Sequence, residues 1–278
     1  MAFDLVAQGE RLDDASIAEL VRSSASSRWH RIAPGAARFF GARRGPGLDD
    51  LCARLALDCA FVQDGARLSD YGLVALDMDS TLITIECIDE LADMAGIRPQ
   101  VAAITASAMR GEIDFTESLT RRTALLAGLH ESALERVWSE RLQLSPGAER
   151  LIEALRARGI RTLLVSGGFS FFTERLKARL GLDYALSSEP EIADGRLTGR
   201  IQGRILDARG KAEAVRRVRD SLGLPPERVI AIGDGANDLA MMAEAGVSIA
   251  YHAKPVVRQE ATYSFNHVGL DGLLNLFL

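Results

Sequence analysis

Three short strings concentrate the residue types that chemistry needs: Asp77-Met78-Asp79-Ser80-Thr81, Ser166-Gly167-Gly168 and Gly233-Asp234-Gly235-Ala236-Asn237-Asp238. A lysine, Lys211, stands between the last two. Each has an ordinary explanation on its own. An Asp after a strand caps a helix or makes an Asx turn, Ser-Gly-Gly forms turns, and a lysine at a helix start is commonly solvated. Together, in this order and each close behind an apolar run, they fit phosphoryl transfer. A phosphate dianion repels a carboxylate nucleophile unless a cation offsets the charge. Mg²⁺ takes hard oxygen ligands, often one or two carboxylates with water and phosphate, and Asp77 and Asp234 offer such oxygens. Asp77 can then attack phosphorus and carry an aspartyl-phosphate. Asp79, two residues on, can protonate the leaving alkoxide and later take a proton from water. Ser166, with the amides of Gly167 and Gly168, suits phosphate oxygens. Lys211 adds positive charge to those oxygens and to Asp77, and Gly235 allows close backbone approach.

The elements that must position these residues are legible as periodicity. Leu73–Leu76, Arg161–Val165, Val229–Ile232 and Val247–Ala250 are short apolar runs of the kind buried on both faces of a sheet. Helical patterns separate them over Gly147–Arg158, Phe171–Leu180, Lys211–Leu222 and Leu239–Ala245. This alternation predicts an α/β fold, a doubly wound parallel sheet with its strand C-termini on one edge, where such sheets bind ligands. Two stretches interrupt it. Residues 86–144 hold only helical patterns (Ile88–Ala95, Pro99–Arg110, Asp114–Ala127, Ala133–Arg141) and read as a helical cap inserted into a core of residues 71–85 and 145–278. In Ser187–Leu206, Asp194-Gly195 between Glu191-Ile192 and Arg196-Leu197 signals a hairpin.

Residues 1–66 read as a small α+β unit of order β-α-β-β-α-β: Phe3–Ala7, a helix capped at Asp13 or Asp14 and running to Ser24, Trp29–Ile32, Ala36–Phe40, a helix over Leu48–Leu57, and Cys59–Val62. That order resembles the ACT regulatory fold. Gln63–Asp70 is polar and turn-rich, a linker. The 278 residues are 47% hydrophobic and 26% charged, values of a globular chain rather than a disordered or fibrous one. The formal charge of −5 disfavours general nucleic-acid binding. No apolar run approaches the ~20 residues of a membrane span, and the start MAFDLVAQGE lacks the pattern of a secretory signal. Three cysteines without paired spacing argue against both a disulfide framework and a zinc site. His30, His130, His252 and His267 match no ligand spacing. The expectation is a reduced, cytoplasmic protein with no nucleic-acid or membrane partner.

The four motifs at Asp77–Thr81, Ser166, Lys211 and Gly233–Asp238 resemble those of the haloacid dehalogenase superfamily of phosphatases. Within it the chain is similar to the phosphoserine phosphatases over roughly residues 71–278. Ile85-Glu-Cys-Ile-Asp-Glu-Leu-Ala92, Met109, Phe115, Arg122, Ser166-Gly-Gly-Phe169 and Asp194-Gly-Arg-Leu-Thr-Gly199 also carry the likeness. The resemblance implies Mg²⁺-dependent hydrolysis of O-phosphoserine, the last step of serine biosynthesis. It assigns Asp77 as nucleophile and Asp79 as acid/base. It gives the metal to Asp77, the Asp79 backbone carbonyl and Asp234, with Asp238 behind them. Substrate contacts fall to Glu86, Arg122, Ser166, Gly167, Lys211 and Asn237. By themselves Glu86 and Arg122 would read as a first-turn helix acid and a solvated arginine, and Met109 and Phe115 as packing residues. With the resemblance, Glu86 suits an ammonium and Arg122 a carboxylate. The rival readings are another small-molecule phosphatase or phosphotransferase, a phospho-acceptor signalling domain, and an amino-acid-binding regulator acting through residues 1–66. The second Asp and the cap argue against the signalling domain. A homodimer is compatible with the sequence.

Overall fold

The computed structural model describes residues 2–277. Its centre is β5 (Leu73–Leu76), four residues fully shielded from water. Val74 and Leu76 point to one face of the sheet with Leu164, Ile230 and Ile232, while Leu73 and Ala75 point to the other with Leu163, Val165, Val229 and Ala231. A strand apolar on both faces needs helices on both sides. The remaining strands of this sheet are β6 (Arg161–Phe169), β7 (Tyr184–Ala193), β8 (Arg196–Gln202), β9 (Val229–Gly233), β10 (Val247–Tyr251) and β11 (Tyr263–Phe265). The order is β11-β10-β9-β5-β6-β7-β8, parallel throughout except for β8. Chain direction of growth reverses at β5, with β6 on one flank and β9 on the other. That switch point opens the crevice where doubly wound folds hold ligands.

The four apolar runs form β5, β6, β9 and β10. Strand β6 continues through Ser166-Gly167-Gly168 to Phe169, with a register shift against β7 between Ser166 and Phe169. The expected hairpin joins β7 to β8, with Asp194 and Gly195 at φ +50° and +71° as a type I′ turn requires. Strand β11 has only three residues, Tyr-Ser-Phe, too few to show a pattern.

Between β5 and β6 the chain makes α3 (Cys87–Met94), α4 (Arg98–Met109), α5 (Phe115–Ala124) and α6 (Ser132–Arg136). The two chain segments leading into and out of this insertion pair with each other: Ile83 bridges Leu144, and Thr84 N donates to Gln143 O at 3.0 Å. The core helices are α7 (Ala148–Ala157), α8 (Ser170–Leu180), α9 (Ala208–Ser221), α10 (Leu239–Met242), α11 (Pro255–Glu260) and α12 (Leu273–Leu276). No helix among the described residues is long and apolar enough to cross a membrane.

The N-terminal elements are β1 (Phe3–Gln8), α1 (Asp14–Ser24), β2 (Arg28–Ala33), β3 (Ala36–Phe40), α2 (Leu48–Leu55) and β4 (Asp58–Gln63). They form a separate antiparallel sheet of order β2-β3-β1-β4. Asp13 caps α1 by accepting from Ser16 N at 2.8 Å. Leu5, Ala7 and Phe39 pack with Ile17, Leu20 and Leu51, whereas Val6, Ala60 and Val62 join the main core. Buried Arg38 pairs with Asp4 at 3.3 Å and donates to Leu276 O at 2.7 Å.

One expectation is overturned here. Cys52 and Cys59 form a disulfide, with Cα atoms 6.4 Å apart, and only Cys87 is free. The cause is the tight connection from α2 to β4: Ala56 takes a left-handed conformation (φ +52°) and folds the two cysteines together. Spacing along the chain carried no sign of that reversal.

Asp58 anchors β4 to the core. Its buried carboxylate accepts from the backbone N–H groups of Asn266, His267 and Val268 at 2.8, 2.9 and 3.1 Å. Asp58→Ala strands these donors and is expected to cost about 1–3 kcal/mol or more in urea unfolding. Asp58→Asn, which keeps one acceptor oxygen, is expected to lose less.

Candidate active site

The nine residues singled out from the sequence (Asp77, Asp79, Glu86, Arg122, Ser166, Gly167, Lys211, Asp234 and Asn237) line one cavity of about 580 Å³ at the strand C-termini, under the helical insertion. Its floor is built from three strand ends. Asp77 follows β5, and its backbone N–H donates to Ile232 O of β9 at 3.0 Å, so the sheet itself fixes the residue. Lys211 lies in the first turn of α9, which Asp207 caps by accepting from Gly210 N at 2.7 Å. From there its fully buried ammonium donates to Asp77 Oδ1 at 2.6 Å and to Asp238 Oδ1 at 2.7 Å. Asp238 Oδ2 in turn accepts from Gly235 N at 3.0 Å and Asp234 N at 3.2 Å. The string Gly233–Asp238 thereby folds back on its own last carboxylate. A Cβ at Gly235 would lie 2.3 Å from Asn237 Oδ1, so a larger residue there would displace the Asn237 amide.

After Asp77 the chain makes one wide turn, with Leu82 N donating to Asp77 O and Ile83 N to Met78 O, and Ser80 at φ +56°. This turn directs Asp79 toward the insertion. Its Oδ1 accepts from Cys87 N at 3.0 Å, at the start of α3. Its Oδ2 borders Gly168, where an added Cβ would come within 3.0 Å of it. Ser166 Oγ accepts from Gly168 N at 2.9 Å. Phe115 of α5 covers Gly167 so closely that a Cβ there would meet Cζ at 2.5 Å. Glu86 accepts from Ser80 Oγ at 2.8 Å. Arg122 faces the cavity, and its Nε is buried with no protein partner.

Burial dominates the electrostatics. Burial and then the neighbouring Asp238 push the Asp77 carboxyl well above the usual carboxylate range, against the pull of Lys211. Burial and then Glu86 raise Asp79 to about 7. Burial, Asp238 and Glu86 raise Asp234 to about 7. Burial pulls the Lys211 ammonium down, but Asp238 and Asp77 outweigh it and hold the group charged. The Cys87 thiol is pushed up by burial and by Asp79, which leaves it inert.

Asp77, Asp234 and Asp238 each bring a carboxylate oxygen into one group within 4.8 Å. Asp238 is occupied by Lys211 and two amides. Asp77 uses only Oδ1 on Lys211, and Asp234 has only a 3.4 Å contact from Thr81 Oγ1. Three acids against one ammonium, with oxygens left over on Asp77 and Asp234, fit a hard divalent cation. The Asp79 carboxylate stands outside this group. Lys254, Val256, Asp89 and Thr105 also line the cavity, though no motif in the sequence marks them. Lys254 follows the end of β10, so the polar residue behind the fourth apolar run was the available signal. Met109 and Val256, 65% and 46% exposed, are apolar side chains left open on the cavity lining, one from each side.

A family model described as haloacid dehalogenase-like hydrolase matches residues 74–243. A curated phosphoserine phosphatase from Polaromonas sp. is 53% identical over 215 residues, which is 76% of this chain and 91% of the relative. A solved structure of a probable phosphoserine phosphatase from Vibrio cholerae, unliganded, is similar with a TM-score of 0.87 at 36% identity, over 99% of this chain and 86% of that one. A solved phospho-aspartyl intermediate analogue of phosphoserine phosphatase is similar with a TM-score of 0.71 at 36% identity, over 75% of this chain and 99% of that one.

Removing one member of the Lys211 triad leaves buried charge without a partner. Lys211→Met is expected to destabilise the fold by about 3–5 kcal/mol, measured by denaturant unfolding.

Proposed function

The chain belongs to the haloacid dehalogenase-like hydrolases, and on that premise we propose that it hydrolyses O-phospho-L-serine to L-serine and phosphate through an aspartyl-phosphate on Asp77, with Mg²⁺ as its metal. The observation that carries this reading is the set of charges gathered in one cavity. Asp77, Ser166, Gly167 and Lys211, groups suited to phosphate, line it at the strand C-termini. The same cavity is lined by a carboxylate, Glu86, and by a guanidinium, Arg122, with a buried nitrogen that has no protein partner. A phosphorylated amino acid matches that pattern: phosphate at the core, ammonium at Glu86, carboxylate on the Arg122 fork. The phosphoserine phosphatase from Polaromonas, at 53% identity, supports the same substrate.

The residues act in sequence. A free oxygen of Asp77 attacks phosphorus and the bond from phosphorus to the serine oxygen breaks. Asp79, a buried carboxyl able to hold a proton near neutrality, gives that proton to the departing oxygen. Water then attacks the aspartyl-phosphate, its proton passes to Asp79, and Asp77 is released as carboxylate with free phosphate. Lys211, Ser166, Gly167 and Asn237 hold the phosphate oxygens, and Phe115 over Gly167 excludes water. Mg²⁺ held by Asp77, Asp234 and the Asp79 carbonyl would neutralise charge on a phosphate oxygen. The related phospho-aspartyl intermediate analogue supports Asp77 as nucleophile. On the same reading the reaction is the last step of serine biosynthesis, in the cytoplasm. Residues 71–85 and 145–278 are the catalytic core and 86–144 the cap. Residues 1–66 are an ACT-like regulatory or dimerisation unit.

Asp79→Asn keeps the backbone carbonyl and removes the proton donor. Turnover at saturating Mg²⁺ is expected to fall ~10²–10⁴-fold while the Mg²⁺ midpoint stays put. A shifted midpoint with normal saturated turnover would refute the acid/base role.

Phosphoethanolamine lacks the carboxylate and phosphoglycolate lacks the ammonium. Each leaves one charge of the cap pair unmatched, a loss of about 2–5 kcal/mol, or roughly 30- to several-thousand-fold in kcat/KM. Glu86→Gln is expected to harm phosphoserine far more than phosphoglycolate. Equal turnover of all three esters by the wild type, measured as phosphate release, would point to a broader phosphatase.

A further inference from the structure

The hairpin of β7 and β8 has no part in the chemistry above, yet it is fastened to the helix that carries Arg122. Beyond the end of α5 the chain runs beside β8, joined to it by backbone hydrogen bonds and one isolated bridge. Gly128 N donates to Leu197 O at 2.8 Å, Leu197 N to Leu129 O at 2.9 Å, and Glu131 N to Gly195 O at 2.9 Å. His130 bridges Arg196 in antiparallel register, and the Arg196 guanidinium donates to Gly128 O at 2.8 Å.

Gly199 makes the closest approach. It sits at φ +82°, and a Cβ there would lie 2.9 Å from Ala127 Cβ, 3.1 Å from Ala124 O and 3.2 Å from Ala124 Cα. Phe115, Ser118, Leu119 and Arg122 recur at helical spacing and line the cavity. Ala124, two residues past Arg122, is about 200° further round the helix, so the hairpin supports α5 from behind while Arg122 projects from its front.

We propose that the β7–β8 hairpin positions the Arg122 clamp, with Gly199 as the positioning residue that lets α5 sit close enough for the guanidinium to meet a substrate carboxylate. The inference rests on the reading of Arg122 given above. A methyl group at position 199 meets an unfavourable φ of +82° and needs ~3.5–4.0 Å from its carbon neighbours, so the chain at Ala127, just past the end of α5, must give by roughly 0.6–1.1 Å. A misplacement of ~1 Å away from the reacting atoms costs up to ~10²-fold, and here the loss falls on the carboxylate end of the substrate alone.

The test compares O-phosphoserine with O-phosphoethanolamine in the full-length wild type, Gly199→Ala, Arg122→Met and the double variant. Gly199→Ala is expected to lower kcat/KM for phosphoserine ~10–100-fold, mostly through KM, and to leave phosphoethanolamine unchanged. In the Arg122→Met background, Gly199→Ala is expected to add no further loss, because the two act as one unit. Arg196→Met, an exposed change that removes a single hydrogen bond, guards against misfolding at position 199 and is expected to shift the same preference a few-fold. A wild type that treats both esters alike overturns the reading of Arg122 itself. A wild type that discriminates, with Gly199→Ala harming both esters equally or adding its full loss to Arg122→Met, overturns the hairpin's role alone. If Gly199→Ala fails to fold, an unchanged preference in Arg196→Met overturns it as well.

Discussion

The fully buried ammonium of Lys211, held between Asp77 and Asp238, is the interaction on which the rest of the site depends. An isolated buried ion costs several kcal/mol, and only close, hydrogen-bonded counter-charges offset that cost. The triad therefore has to be assembled by rigid parts. Asp77 comes from the central strand, Asp238 from the loop after β9, and Lys211 from the first turn of α9, three pieces of chain up to 161 residues apart. Because Lys211 takes one oxygen of Asp77 and Asp238 takes the loop amides, the oxygens left for other partners are those of Asp77 and Asp234. The electrostatics thus select which acids face the cavity and which lie behind it.

A second constraint divides the cavity lining between two parts of the fold. The strand ends and α9 carry Asp77, Ser166 and Lys211, and the helical insertion carries Arg122, Phe115 and Met109. Asp79 joins the two, since its Oδ1 is held by the first amide of α3 while its Oδ2 borders Gly168 of β6. One oxygen is thereby fixed by the insertion and the other is turned toward the strand end.

The features legible in the sequence are the ones set by short-range physics. Four apolar runs became buried strands because a both-faces-buried strand leaves an unbroken apolar signature. The Asp194-Gly195 turn was visible because both positions need φ > 0. The strand-end motifs stood out as a group, whereas Glu86 and Arg122 look like ordinary helix residues and became site residues only through the family resemblance. What escaped depends on contacts between distant segments. Asp58 binds amides more than 200 residues away, and neither partner's local sequence marks it. Lys254 reaches the cavity because β10 lies beside β9, a matter of sheet order. The Cys52–Cys59 pair depends on one left-handed residue, Ala56, in a turn that alanine rarely occupies.

Strand β8 shows how a requirement of folding becomes available to function. It is the one antiparallel strand of the large sheet and lies at its margin. A bare sheet edge exposes unpaired N–H and C=O groups and invites association with other chains, so folds cover it. Here the cover is the segment after α5, whose bonds to Leu197 and Gly195 satisfy edge groups that would otherwise face water. The hydrogen bonds that close the edge also fix the end of the helix bearing Arg122. An edge cover must match its strand in register, so the same bonds hold the chain leaving α5 against the hairpin. The hairpin and the chain leaving α5 are therefore one mechanical unit, joined by hydrogen bonds that serve the sheet and the insertion together.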